Sequence, residues 1–239
     1  MCGRYVRKTG AQEIALAFSA VDSGQNLALN YNISPTSDVF ALRSVGGVVR
    51  LDVMSWGLVP VWARDASRAA SLINARSESV TEKPSFRNLV SRHRCVMPMN
   101  AYYEWKSMKV AGKAMKQPFA FFPGQDSEYD HESHFAVASL WSTWRDGDGK
   151  ELTTCVALTT EANERVSQVH NRMPVLLTKD GITQWLSDDV VVPLHLAKGI
   201  PDEAVQYVAV STNVNNARNH DPQLLDPITL AEETPETLF

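Results

Sequence analysis

The feature that most constrains this chain is a succession of short strand-like segments with only short helices set between them. Val39–Arg43 and Val48–Ser55 alternate in polarity on either side of Gly46-Gly47. That pattern predicts a hairpin, because successive strand side chains point to opposite faces and paired glycines supply the positive φ of a tight turn. Gly3–Arg7, Cys95–Met99, Tyr102–Lys106, Pro118–Phe122, His134–Trp141, Leu152–Thr160 and Val205–Ser211 read as further strands. Thr9 with Gln12 makes a capping-box pattern that opens a helix through Phe18, and a second helix is expected to start at Pro84. Short helices are also expected near Asn163–Val169 and Gly181–Leu186. The fold class that follows is α+β, a mainly antiparallel sheet curled towards a barrel with short flanking helices. No repeat or linker divides residues 1–239, so one domain is expected, with a flexible acidic tail from about residue 226.

Composition narrows the setting. Hydrophobic content of 44% and charged content of 21% suit a soluble globular protein. No run approaches a membrane span, and the N-terminus lacks the apolar stretch of a secretory signal. No membrane partner is expected; a cytoplasmic location is, nucleoid-associated if the source is bacterial. Three cysteines fit free thiols in a reducing compartment. Cys95 and Cys155 sit in alternating apolar segments and read as inert core thiols. His131 and His134 stand three apart without a cysteine or third ligand, so neither a metal nor another cofactor is expected.

The net charge of −4 weighs against nucleic-acid binding, but it hides an asymmetry. Residues 1–110 hold 14 Lys+Arg against 8 Asp+Glu, a balance of +6, and residues 111–239 hold 9 against 19, a balance of −10. Phosphate recognition answers to the local field rather than to the total.

Cys2 is the sharpest chemical feature. A small residue at this position permits removal of Met1, which would leave a cysteine with a free amine and a thiol on adjacent carbons. An α-amine titrates near about 7.7–8, so a useful fraction is uncharged at neutral pH and attacks aldehydes to give an imine. The thiol can then close onto the imine carbon to form a five-membered thiazolidine. That step is intramolecular, with the large effective concentration such steps carry.

Seven blocks stand in order along the chain: Met1-Cys2-Gly3-Arg4-Tyr5, Tyr31-Asn32-Ile33-Ser34-Pro35-Thr36, Trp56-Gly57-Leu58-Val59-Pro60, Ile73-Asn74-Ala75-Arg76-Ser77-Glu78, Tyr103-Glu104-Trp105-Lys106, Val169-His170-Asn171-Arg172-Met173-Pro174 and Ser211-Thr212-Asn213-Val214-Asn215-Asn216. Together they resemble the SOS response-associated peptidase family, whose members shield abasic sites, from Cys2 to roughly Leu225. The resemblance implies a single mixed domain and a thiazolidine crosslink between the N-terminal cysteine and the ring-opened sugar; single-stranded DNA with abasic sites is the expected partner, and a monomer without a cofactor is expected. It further implies that Asn74 lies beside the cysteine, that Glu104 is the general acid/base and that His170 is a second proton-transfer group. Arg4, Arg76 and Arg172, with Thr159, would meet phosphates; Trp62 and Trp105 would stack on bases; Pro35 would wall the cleft. Ser34 departs from the family pattern, as does Met99-Asn100-Ala101-Tyr102 ahead of Tyr103-Glu104.

Three other readings remain open from the residues. Cys2 and His170 would serve a cysteine hydrolase as nucleophile and base, in line with possible lyase and self-processing peptidase activity. The Met-Cys-Gly opening also begins amidotransferases with an N-terminal nucleophile, but no glutamine-binding motif follows it. A non-covalent single-strand-binding module would need only the arginines and tryptophans.

Overall fold

The computed structural model describes residues 2–110, 112–125, 127–187, 189 and 192–230. The strands, in chain order, are β1 (Arg4–Arg7), β2 (Val21–Asp22), β3 (Asn30–Ile33), β4 (Asp38–Val45), β5 (Val48–Trp56), β6 (Asn74–Arg76), β7 (Arg94–Met99), β8 (Ala101–Val110), β9 (Lys113–Pro123), β10 (Phe135–Arg145), β11 (Glu151–Glu161), β12 (Arg172–Pro174) and β13 (Val205–Ala209). Among the described residues the α-helices are α1 (Ala11–Ala17), α2 (Glu164–Ser167) and α3 (Lys179–Leu186).

Two sheets make the body. One is open, in the order β13-β9-β8-β1-β3. The other runs β12-β11-β10-β7-β4-β5-β2, and β11 also pairs in parallel with β5, through Thr154 with Ser55 and Cys155 with Trp56. That pairing closes β10, β7, β4, β5 and β11 into a five-stranded barrel, so the expected curled sheet is present. The β4–β5 hairpin turns at Gly46 and Gly47, whose φ values of 60° and 79° suit the mirror-image turn that matches strand twist.

Alternation along the barrel strands sorts side chains into two packed clusters. Val39, Ala41, Met54, Trp56, Cys95, Met97, Phe135, Val137, Cys155 and Ala157 meet Tyr5, Tyr102, Phe119 and Phe121 of the open sheet. Phe40, Leu42, Leu51, Val96, Ala136, Ala138, Val156 and Leu158 meet α1, α3 and the 80–90 segment through Ile14, Trp185, Phe86 and Val90. Both faces of these strands are therefore buried, which explains their near-continuous apolar runs. The β8–β9 hairpin extends past its neighbours and carries Lys109, Lys113 and Lys116 at exposed positions, charges that discourage edge-to-edge pairing.

Two sequence expectations change. The first helix begins at Ala11 with Gly10 as N-cap, and Glu13 accepts from the Gly10 N–H at 3.0 Å. Thr9 is drawn away from the cap because its hydroxyl lies 2.6 Å from His134 Nε2 and 3.2 Å from Asn100 Oδ1. No α-helix starts at Pro84. The segment runs as successive turns, with Phe86, Leu89 and Arg92 each donating three residues back, and it packs Phe86, Leu89 and Val90 onto the barrel. At the start of the expected tail, Val210 bridges Pro227, and the Ile228 N–H donates to Ala209 O at 2.9 Å. Residues 231–239 of that tail lie outside the described residues.

Closure of the barrel depends on Gly57. Its N–H donates to Cys155 O at 2.9 Å, its φ is 139°, and a Cβ there would meet Ala69 O at 2.7 Å. Gly57→Ala must therefore strain the backbone at the seam as well as displace the 69–72 turn. The expected loss is roughly 1–3 kcal/mol, read from urea unfolding as a lowered midpoint at unchanged slope.

Candidate functional site

The site lies where the open sheet meets the barrel. Cys2 precedes β1, and β1 pairs with β8 through Arg4 with Tyr103 and Tyr5 with Tyr102, which brings Glu104 to the same end of the sheet. From the barrel side, β6 pairs in parallel with β11, Asn74 opposite Ala157. The Asn74 Nδ2 donates to Cys2 O at 2.8 Å and ties the two sheets together at this point. Asn74 Oδ1 is buried without a hydrogen-bond partner among the described residues, an acceptor left over beside the cysteine.

His170 sits between α2 and β12, its N–H donating to Val166 O at 2.9 Å. The Arg172 N–H lies 3.0 Å from His170 Nδ1, and the Arg172 carbonyl lies 3.2 Å from the same atom, so Nδ1 is held by the Arg172 backbone and Nε2 is left to face the site. That Nε2 faces Glu104 Oε2 at 3.9 Å. Glu104 is 2% exposed, and burial raises its carboxyl above the ordinary range, with His170 opposing the shift. Cys2 is 1% exposed; burial and then the charge of Glu104 push its thiol well up, and its S–H is directed at Arg4 O, 3.9 Å away. Cys2, Asn74, Glu104 and His170, far apart in sequence, thus converge.

The remaining candidates divide. Arg76 is exposed on β6, two positions from Asn74. Arg172 is engaged: it donates to both Glu78 carboxylate oxygens at 2.7 and 2.9 Å and to Thr159 O at 2.7 Å, which holds the Glu78 carboxyl below its usual range. Thr159 is fully buried, its hydroxyl 3.4 Å from Arg172 and 3.5 Å from Ala75 O, so it sits beneath the arginine rather than at the surface. Arg4 donates to Asn32 Oδ1 at 2.8 Å and to Val214 O at 3.1 Å. Asn32 in turn donates from Nδ2 to the carbonyls of Val214, Asn216 and Asn219 at 2.9–3.1 Å. Trp105 Nε1 donates to Asn215 Oδ1 at 2.7 Å. The second and seventh sequence blocks are therefore one hydrogen-bonded unit, and Arg4 and Trp105 are both fastened to it.

Trp62 is 65% exposed, on a loop anchored by Trp144 Nε1 donating to Ala63 O at 2.8 Å. With Arg64 and Arg68 it lines a cleft of about 260 Å³. Half-buried Pro35 belongs to a turn fixed by Thr36 N–H to Trp56 O at 2.7 Å. His131 and His134 are committed elsewhere: His134 Nδ1 lies 2.9 Å from His131 O, and His131 Nε2 lies 2.9 Å from Leu177 O. Cys95 and Cys155 are fully buried, and burial raises both thiols. No helix among the described residues is long and apolar enough to cross a membrane. Sequence reasoning missed Glu78 as the partner of Arg172, although it lay within the quoted Asn74–Glu78 block.

The SOS response associated peptidase (SRAP) family matches residues 1–217. The chain belongs to that family. Among its SRAP relatives it is 33% identical to the abasic site processing protein YoaM of Bacillus subtilis (strain 168), covering 95% of this chain and 98% of that one. It is 32% identical to the abasic site processing protein HMCES of Gallus gallus, over 74% of this chain and 57% of the relative. A crystal structure of a Bacteroides thetaiotaomicron protein shares the fold at a TM-score of 0.83 and 23% identity, covering 95% of this chain and all of that one.

The raised carboxyl of Glu104 has a consequence for stability. Its neutral form is favoured by folding, so its contribution is fully present below the ordinary carboxyl range and is lost as pH rises through the folded-state value. Glu104→Gln removes that dependence. The variant's melting temperature should gain on wild type as pH is raised from acid to neutral, in paired thermal melts; a constant difference would show that Glu104 carries no such shift.

Proposed function

We propose that the chain binds abasic sites in single-stranded DNA and captures them covalently through Cys2 once Met1 is removed. The observation that supports this best is the convergence of Cys2, Asn74, Glu104 and His170 at one junction, in a chain whose curated relatives are named abasic site processing proteins. Burial shifts the Glu104 carboxyl towards its protonated form, and Glu104 would deliver that proton to the sugar ring oxygen as the ring opens to the aldehyde. The Cys2 amine adds to that aldehyde and water leaves, giving an iminium ion. His170 Nε2, facing Glu104, would relay protons between these steps, and Asn74 Oδ1 would accept from the amine. Attack by the thiol then closes the thiazolidine.

The hydrolase reading fits the geometry less well. A cysteine nucleophile with a histidine base works as a thiolate with a depressed pKa, whereas burial, and then the charge of Glu104, push the Cys2 thiol the other way. His170 Nε2 faces the carboxylate. Cys2→Ala should abolish the heat-stable adduct with abasic single-stranded DNA on denaturing gels while keeping an imine that borohydride traps. A heat-stable adduct from Cys2→Ala without reductant would overturn the proposal. Mass spectrometry of the intact protein reports whether Met1 is absent, and an adduct from protein that retains Met1 would overturn it as well.

For DNA contact, Arg76 is exposed beside the site, and exposed Trp62 with Arg64 and Arg68 offers a stacking surface flanked by cations. Arg172 would reach phosphate by exchanging Glu78 for it, an exchange of one bidentate partner for another. Arg4 and Trp105 would act through the Asn32–Asn215 unit they fasten, Thr159 by supporting Arg172, and Pro35 by shaping the turn at Trp56. Glu78→Gln should therefore strengthen single-strand binding several-fold at low salt, measured by fluorescence anisotropy. Unchanged or weaker affinity would remove Arg172 from the phosphate contacts.

A further inference from the structure

Tyr102 is a polar group that the chemistry above leaves unused. It is fully buried, its ring stacks on Phe121 at 4.8 Å and 4° and tilts against Phe135 at 5.6 Å, and its hydroxyl has no hydrogen-bond partner among the described residues. Leaving a hydroxyl buried and unpaired costs about 1–3 kcal/mol, and a phenylalanine would fill the same space without that cost. Its place in the fold gives the hydroxyl a use. Tyr102 and Glu104 are two apart on β8 and so share a face, Tyr102 pairs with Tyr5 on the strand that Cys2 leads into, and Cys2 and Tyr102 pack in one buried cluster.

We propose that the Tyr102 hydroxyl is a hydrogen-bond donor to the Cys2 sulfur during ring closure, a role that rests on the crosslinking reading above. Closure from the iminium ion forms the C–S bond with a sulfur lone pair. The C=N π pair moves to nitrogen, and the S–H proton passes to the Glu104 carboxylate. Tyr102 keeps its own proton throughout. Its part is to donate to sulfur while the proton is leaving and negative charge grows there. The need is electrostatic: the thiol is buried and lies in the field of a carboxylate, both of which oppose charge on sulfur. The ground-state thiol uses its proton on Arg4 O, leaving the sulfur lone pairs available to a donor. Burial, with Cys2 and Glu104 adding, raises the phenol well above its ordinary value, so it remains an O–H donor at every working pH.

The test is Tyr102→Phe, which keeps the ring stack, compared with wild type on abasic single-stranded DNA. Aliquots are split between borohydride trapping, which reports imine plus adduct, and heating, which leaves the thiazolidine alone. The expected result is trapping at the wild-type rate, a heat-stable adduct that grows roughly tenfold more slowly, and an unchanged or higher melting temperature, since hydrogen bonds to charged groups are the stronger ones. An unchanged ratio of trapped to heat-stable product overturns the assignment and leaves the crosslinking reading intact. Loss of both products with a lowered melting temperature overturns it too, by showing that the hydroxyl serves packing. No adduct from wild type would end the crosslinking reading itself, and this inference with it.

Discussion

The pairing of β11 on both of its edges is the constraint from which the site follows. On one edge it takes β10 and then β12; on the other it takes the end of β5 and then β6. The β5 contact closes the barrel, and three bonds carry the chain onward from it. Gly57 N–H reaches Cys155 O, Val59 N–H reaches Thr154 Oγ1 at 3.0 Å, and Trp56 Nε1 reaches Ile73 O at 3.0 Å. With Ile73 fixed, β6 enters in parallel register and Asn74 is presented to Cys2. The β12 contact, Glu161 with Arg172, sets His170 two residues before it. One strand therefore positions both barrel-side members of the site, although it contributes none of the four converging side chains.

This arrangement separates the two kinds of work that the seven sequence blocks perform. The Trp56–Pro60 block belongs to the barrel seam, and the Tyr31–Thr36 and Ser211–Asn216 blocks are bound to each other through Asn32. The Cys2, Asn74, Glu104 and His170 blocks bring the side chains that converge at the proposed site. The first class explains why chemistry can rely on the second. A buried amide bonded to several loop carbonyls loses more when broken than a solvent-facing contact does, so the loop fastened to Arg4 and Trp105 has a fixed position.

Legibility in the sequence followed the same division. The strands were readable because period-two alternation and apolar runs report burial directly, and the four residues that converge could be singled out because they stood in blocks of recognisable order. The helix expected at Pro84 failed because a proline permits a first turn without supplying the repeating face that sustains a helix; the segment's apolar residues are spent on contacts with the barrel instead. Thr9 failed as a cap because a tertiary partner, His134, outcompeted the local one. Arg4 and Arg172 are cations whose partners come from elsewhere in the chain, Asn32 and Val214 for the first, Glu78 and Thr159 for the second, and no spacing rule announces such pairings.

Tyr102 marks a different limit. Its signal was present: a tyrosine two residues before Glu104, within a run already read as a strand, must share that carboxyl's face. What the sequence lacked was the state of the hydroxyl. Tyr103, next in the chain and on the other face, donates to Tyr31 O at 2.8 Å and is thereby accounted for, while the Tyr102 hydroxyl is buried with no partner among the described residues. Two adjacent tyrosines of equal propensity and equal burial thus differ in whether the hydroxyl is paired among the described residues. That difference arises only when β8 is set against β1 on one side and the barrel closes on the other.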